Sequence, residues 1–380
     1  AGVYVSADNG GSWKRKDAPW LRELRERYIS SMAIGPDGSV ALVYISSSEE
    51  GEENEYNPVG LYVDPEGNQT TVEVPGGEKI YLFSFSGDGR LYASTMEHKM
   101  YELDPAGGEA KRLYEAEGMS ESVCFTDSYM IDITSRGLLF YDRANEMTAE
   151  GDKVLQDFIM ENVGDEIGAN SGSYSVIMVP GEDRDVVCFA CESGLYRHVI
   201  GGTAVEQVMA GSLSSLGDPM MSLAGMAVLP DNEFAILYTN GKMYRYVYDP
   251  DIPTIPDQQV GIYSLNENYA VRQAVSLFQK QHPEVYVRYE VGMTTGSGMT
   301  SEDAVKNLNT RIMSGSGPDL LVLDGLPRSS YEEKGVLMDL SEIAAGMSGE
   351  DALLPNLVEA CREDGKLFYL PLRFRLPLLV

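Results

Sequence analysis

IYLFSFSGDGRLYASTMEHKMYEL, residues 80–103, decides how most of this chain folds. The polar turn Ser86-Gly87-Asp88-Gly89 separates two apolar–aromatic runs, the pattern of a β-hairpin. A further turn leads to Lys99-Met100-Tyr101-Glu102-Leu103, a third strand. That third strand recurs as Gly2-Val3-Tyr4-Val5-Ser6, Gly60-Leu61-Tyr62-Val63-Asp64, Gly137-Leu138-Leu139-Phe140-Tyr141, Gly194-Leu195-Tyr196-Arg197-His198 and Lys242-Met243-Tyr244-Arg245-Tyr246. Each copy but the first follows two strands joined by a turn. The other turns are Gly35-Pro36-Asp37-Gly38, Thr126-Asp127-Ser128, Gly181-Glu182-Asp183 and Pro230-Asp231-Asn232. A weak outer strand usually follows, as at Gln69 to Val74.

Four strands per unit, repeating at roughly 40–57 residues, is the pattern of a β-propeller blade. Five first hairpins stand against six third strands, so Gly2 to Arg15 reads as the outer half of a blade. Its inner half is either missing upstream or supplied by another part of the chain. Six blades are expected, with five or seven as alternatives. Ser6-Ala7-Asp8-Asn9-Gly10-Gly11-Ser12-Trp13 resembles the Asp-box, a hairpin motif of several propeller families. The resemblance implies that Asp8 accepts hydrogen bonds within the turn and that the Trp13 ring packs between neighbouring sheets. It also raises the alternative of a propeller glycosidase. Sialidase-like enzymes carry Asp-boxes, but they need an arginine cluster and a Tyr–Glu pair, which no other motif here supports.

Net charge is −30, from 29 basic and 59 acidic residues. That argues against nucleic-acid binding, which requires a positive surface, and suits a protein at a cell's outer surface. No run of about 18 apolar residues is present to span a membrane. No secretory leader is seen, so an exported chain is expected in mature form. Cys188 and Cys191 have CxxC spacing inside a β-branched, aromatic run. Residues three apart in a strand point to opposite faces, which disfavours a shared metal or a redox pair. They and Cys124 and Cys361 read as free thiols, and no metal or cofactor is expected. The acidic run Glu49 to Glu55 lacks the alternation of a calcium loop and reads as a solvated loop. Leu21 to Arg27 reads as a short charged helix or turn, and residues 150–171 as a helical insertion or long loop.

Three prolines between Pro250 and Pro256 mark an extended linker. The domains expected are a propeller over 1–249, a linker over 250–258 and an α/β domain over 259–380. In the last, strand and helix alternate, which predicts a mostly parallel sheet. Val260 to Ser264 is a strand and Asn268 to Gln281 a helix, with Val271, Ala274, Val275 and Phe278 inward. Val285 to Val291 is a strand, and Ser301 caps a second helix. That helix ends in Ser314-Gly315-Ser316-Gly317-Pro318, where Gly permits a C-cap and Pro bars continuation. Asp319 to Leu323 reads as a strand buried on both faces. Arg328 to Lys334 and Leu353 to Cys361 read as short helices, and Leu367 to Leu372 as a strand.

Ala274 to Val285, with its His282-Pro283, then Leu308 to Gly315, Gly317-Pro318-Asp319 and Gly335 to Ser341, in that order, resemble the extracellular solute-binding proteins of ABC importers. The resemblance covers about residues 258–380. It implies a periplasmic-binding-protein-like first lobe, truncated at Val380 before the second lobe, and a lipid-anchored, extracellular component of a carbohydrate import system. It implies a small carbohydrate-like solute and ABC permease subunits as partners, and binding without chemical conversion. Ligands in α/β sheets sit at strand carboxyl ends. The implied ligand-binding residues are therefore Ser264, Asn266, Glu267, Asn268, Tyr269, Asp324, Gly325, Arg373 and Phe374, with Arg375 as a further candidate. The alternative is a surface interaction or sensor protein whose propeller holds a protein or glycan.

Overall fold

The computed structural model describes residues 3–371 except 17, 25–26, 47–56, 106–109, 164–168, 171–172, 248, 250–255, 257, 294–297, 348 and 350–352. The acidic run at 49–55 and most of the Pro-rich segment fall outside the described residues. Two compact units divide the chain: residues 1–259 with 269–287, and residues 260–268 with 288–380.

The first unit is an all-β propeller of five blades. It opens with a separate two-stranded hairpin, β1 (Val3–Val5) and β2 (Lys14–Lys16). The first blade is β3 (Tyr28–Ile34), β4 (Val40–Ser46), β5 (Asn57–Val63) and β6 (Gln69–Val72). The second is β7 (Ile80–Phe85), β8 (Leu91–Thr95), β9 (Lys99–Leu103) and β10 (Lys111–Glu115). The third is β11 (Ser120–Phe125), β12 (Tyr129–Thr134), β13 (Gly137–Asp142) and β14 (Met147–Ala149). Next come two short strands, β15 (Ala169–Asn170) and β16 (Ser173–Tyr174), then the fourth blade: β17 (Val176–Pro180), β18 (Val186–Cys191), β19 (Gly194–Val199) and β20 (Val205–Ala210). The fifth combines β21 (Leu223–Leu229), β22 (Glu233–Tyr238) and β23 (Met243–Tyr246) with β15 and β16. Five, not six, is the blade number. A lone hairpin carries the same third-strand signature as a whole blade, so the repeat count runs one too high.

Inner strands lie side by side in chain order, β3 with β7, β7 with β11, β11 with β17 and β17 with β21. The core is a set of apolar layers between successive blades. Val43 and Phe83 belong to the first layer, and Tyr92 and Phe125 to the second. Ile133, Phe189 and Cys191 lie in the third, and Cys188, Ile236 and Tyr238 in the fourth. Cys188 and Cys191 thus face opposite layers, as strand alternation requires. Helix α1 (Trp20–Glu23) closes part of the free face of blade one, where Trp20 packs with Leu42 and Leu61. Helix α2 (Lys153–Val163) lays Leu155 and Ile159 onto the third layer.

Two buried carboxylates hold polar positions inside these layers. Asp152 accepts from the Leu155 N–H at 2.9 Å, capping α2, and its other oxygen accepts from Gly201 N–H at 2.7 Å and faces His198 Nε2 at 2.8 Å. His198 Nδ1 lies 2.9 Å from the Ala204 carbonyl, which can only accept. Burial raises the Asp152 pKa, but bonds from His198, Leu155 and Gly201 outweigh it and hold the carboxyl below its usual value. Both ring nitrogens of His198 thus face oxygen atoms, one of the Asp152 carboxylate and one of a backbone carbonyl. Asp132, fully buried on β12, accepts from Tyr114 Oη at 3.1 Å and Ser120 Oγ at 2.9 Å. Its Oδ1 has no partner among the described residues. Burial, only partly opposed by those two bonds, pushes its carboxyl up to about 7.

The second unit holds a small three-stranded sheet in the order β25–β24–β26, of β24 (Gln258–Ser264), β25 (Val285–Val291) and β26 (Leu320–Val322). β24 and β26 are parallel, in the register Ile262 with Leu320 and Ser264 with Val322. The broad α/β lobe expected of a solute-binding protein is not what is built. Helix α3 (Tyr269–Gln281) groups with the propeller unit, where Arg272 pairs with Glu192. It buries Val271, Val275, Ser276 and Gln279, leaving Ala274 and Phe278 exposed. Gln279 turns the helix: its side-chain amide binds Val285 O and accepts from Val287 N–H at 2.9 Å. Helix α4 (Ser301–Met313) is capped by Thr300, not Ser301, with Asp303 N–H donating to the Thr300 hydroxyl. Leu320 is exposed, because β26 is an edge strand rather than one buried on both faces. Short helices α5 (Arg328–Glu333), α6 (Ser341–Gly346) and α7 (Pro355–Ala360) follow. In place of the strand expected over 367–372 stands the small hairpin of β27 (Arg362–Glu363) and β28 (Lys366–Leu367).

Two measurements check the buried carboxylates. His198→Ala strands a buried charge and is expected to cost about 3–5 kcal/mol in urea unfolding. The Asp132 carboxyl is protonated in the fold up to about pH 7 but ionises near pH 4 in the unfolded chain. Stability therefore falls as pH rises from about 4 to 7, by up to about 4 kcal/mol at 1.36 kcal/mol per unit. Asp132→Asn should remove that part of the pH dependence and raise stability at pH 8.

Candidate functional site

The strand-end loops of the second unit are largely occupied by their own structure. Ser264 is buried; its hydroxyl lies 2.6 Å from the Asn266 carbonyl and 2.7 Å from Tyr289 Oη. Tyr289 Oη in turn accepts from the Asn268 N–H at 3.0 Å. Ser264 and Asn268 thereby tie down the loop, and Asn266, Glu267 and Tyr269 are exposed. Gly325, at φ +78°, lies against the Leu265 side chain, next to exposed Asp324. The two loops therefore meet at Leu265. Arg373 and Phe374 lie outside the described residues.

A groove of about 610 Å³ lies between the free face of blade one and that of blade five, floored by the N-terminal hairpin. Strand alternation builds its walls. On β21 and β22, Phe234, Ile236 and Tyr238 point into the fourth layer, so Ala235 and Leu237 face the other way, with Gly225, Ala227 and Leu229. Opposite them stand Ile34, Val40 and Val63 of blade one. β3 exposes every second residue: Tyr28, Ser30, Met32 and Ile34. The other inner strands expose no such row. Ile34 and Leu237 are 56 % and 40 % exposed, whereas Val40 and Val63 are buried beside Trp20 and Leu24.

The hairpin floor is built by the Asp-box. Asp8 accepts from Ser12 N–H at 2.8 Å, Ser12 Oγ at 2.6 Å and Ser6 Oγ at 2.8 Å, and Ser6 Oγ accepts from Gly10 N–H at 2.8 Å. Gly10 takes φ +86°, open to glycine at little cost. The Ser12 bonds, then that of Ser6, hold the Asp8 carboxyl down at about 2. Trp13 departs from the expectation: its ring is 48 % exposed and lines the groove, because only one sheet face is there to cover it. Val3, Tyr4 and Val5 of β1 also line the groove, and among the described residues β1 pairs only with β2. Beyond it, Lys14, Arg15 and Lys16 are exposed and without an ion-pair partner among the described residues. The sequence signal for this site was the unmatched third strand at Val3–Val5.

No family profile matches the chain, and no curated protein matches it. Solved structures that resemble it include YCF48 bound to D1 peptide, 14 % identical, covering 66 % of this chain and 87 % of that one, with TM-score 0.40. The extracellular domain of the two-component system BT4673 from B. thetaiotaomicron is 12 % identical with TM-score 0.38; 61 % of this chain is covered, but only 29 % of that one. The Neurospora crassa Pan2 WD40 domain is 11 % identical, covering 67 % of this chain and 71 % of that one, with TM-score 0.36. The expected membership in the solute-binding proteins of ABC importers is overturned: no family profile matches, and in place of the expected lobe stands a small three-stranded sheet. With it go carbohydrate transport and permease partners. The helix, cap and strand behind that resemblance are general α/β scaffold elements. Among the described residues no helix is long and apolar enough to cross a membrane.

Asp8→Ala should loosen the hairpin, seen as faster tryptic cleavage at Lys14 to Lys16. The native hairpin should keep its protection from amide exchange from pH 8 down to about pH 4 and lose the contribution of Asp8 as pH falls from there through about 2.

Proposed function

We propose that this chain is an interaction protein of the cell surface. Its propeller holds a partner polypeptide in the groove between blades one and five, without chemical conversion. One observation carries this reading: an apolar groove of about 610 Å³ between blades one and five, in which Ile34, Ala227 and Leu237 are exposed. Contiguous exposed apolar surface rimmed by polar residues marks interaction sites. The small residues Gly225, Ala227 and Ala235 on one wall suit the close approach of a polypeptide backbone better than a hydrated glycan. The net charge of −30 suits a protein facing the extracellular medium.

Panning a phage-displayed peptide library on the protein tests the reading, with Ile34→Arg/Leu237→Arg as the counter-selection target. Both side chains are half exposed, so circular dichroism and Tm should match the parent. Peptides should be enriched on the parent and bind the variant at least tenfold more weakly. Enrichment of no groove-dependent peptide would overturn the proposal.

A further inference from the structure

We infer that the joint between blades two and three is a pH-sensitive seam: ionisation of Asp132 loosens it while the other joints of the ring stay shut.

Packing marks this joint as the weakest of the four. Among the successive pairs of inner strands, β7 and β11 run least closely together. The apolar layer between blades two and three, which holds Tyr92, Met100, Phe125 and Met130, is the smallest of the four among the described residues. Less buried apolar surface means less to lose on opening. A cavity of about 20 Å³, with Tyr92, Met130 and Tyr141 in its wall, lies in the same joint.

A polar chain crosses that layer. Ser94 of β8 donates to Ser120 Oγ of β11 at 2.9 Å, and Ser120 donates to the Asp132 carboxyl of β12 at 2.9 Å. Tyr114 of β10 donates to the same carboxyl oxygen at 3.1 Å. Asp132 is fully buried, and its Oδ1 has no partner among the described residues. The titratable groups that act on it are Tyr114 and Glu121 of β11, with Tyr141 of β13 behind Tyr114. Burial holds the Tyr114 phenol well above its usual value, so it stays neutral, and Glu121 opposes a second negative charge. None of these groups is a cation. Ionised Asp132 is therefore a buried charge with one bare oxygen, a cost that a wetted joint relieves.

Two ion pairs also tie the joint, Arg143 to Asp88 at 2.9 Å and Lys111 to Glu146 at 2.6 Å. The bond from Ser86, then the charge of Arg143, holds the Asp88 carboxyl below its usual value, and Lys111 does the same for Glu146. Both pairs keep their charges between pH 5 and 8, so of these ties only that of Asp132 changes. Burial pushes its carboxyl up to about 7 in the closed joint, and wetting returns it to about 4. The closed joint thus has its full stability below about pH 4, loses it as pH rises to about 7, and changes no further above.

Oxidation by hydrogen peroxide reads the joint, because a thioether does not titrate and its rate follows exposure. Met100 and Met130 are buried in this layer and Met178 in the next. In the full chain, sulfoxide formation at each is followed by peptide mass spectrometry. At Met100 and Met130 it should speed up at least tenfold from pH 5 to pH 8, and at pH 8 run at least tenfold faster than at Met178. Asp132→Asn should remove the rise at Met100 and Met130. Flat rates at these two in the native protein overturn the proposal, whether or not the variant folds. Equal rates at all three methionines, the mark of the whole ring opening at once, also overturn it. So does a rise that persists in Asp132→Asn.

Discussion

A blade has two apolar faces, and each must be covered. That constraint arranges the whole propeller unit. Burying apolar surface is worth about 25 cal/mol per Å², and a half-covered sheet forfeits much of it. Blades two, three and four lie between neighbours and have their faces filled by Phe83, Phe125, Ile133 and Phe189. Blade one has one neighbouring blade and borrows Trp20 and Leu24 from α1 and its flank. Blade five has one neighbouring blade, and its other face meets the groove. The site is thus the place where the packing rule is left incomplete.

Inside the layers, polar groups are admitted on strict terms. Asp152 spends both oxygens on a helix cap, a loop N–H and His198, so its burial is matched by bonds. Asp132 satisfies one oxygen, the other has no partner among the described residues, and burial raises its carboxyl to about 7. The contrast follows from the number of donors each environment provides.

Much of the fold was legible in the residues. The hairpins at 35–39 and 86–90 were readable because Asp37 and Asp88 bind nearby serines across the turn, at Ser39 N–H (2.9 Å) and Ser86 Oγ. The opposed faces of Cys188 and Cys191 followed from strand alternation alone. What escaped depends on what covers a face. The row Tyr28 to Ile34 has the same alternation whether a neighbour covers it or not, so neither the blade number nor the groove could be read from it. Helix α3 shows the same limit. Val271 and Val275 marked a buried side, but the binding of Gln279 to β25 set which flank turned outward. The groove lies where no catalytic motif stands, beside the N-terminal hairpin.

The opposed cysteines give the molecule internal reporters. Cys191 and Cys124 lie in the layer between blades three and four, and Cys188 in the layer between blades four and five. Burial pushes the Cys188 thiol up to about 11 and raises that of Cys124 further, so both stay protonated and slow to react while the layers are shut. A thiol reagent that reaches Cys188 before Cys124 and Cys191 would show which seam of the ring parts first. The chain carries, with no added label, a clock for each of two adjacent seams.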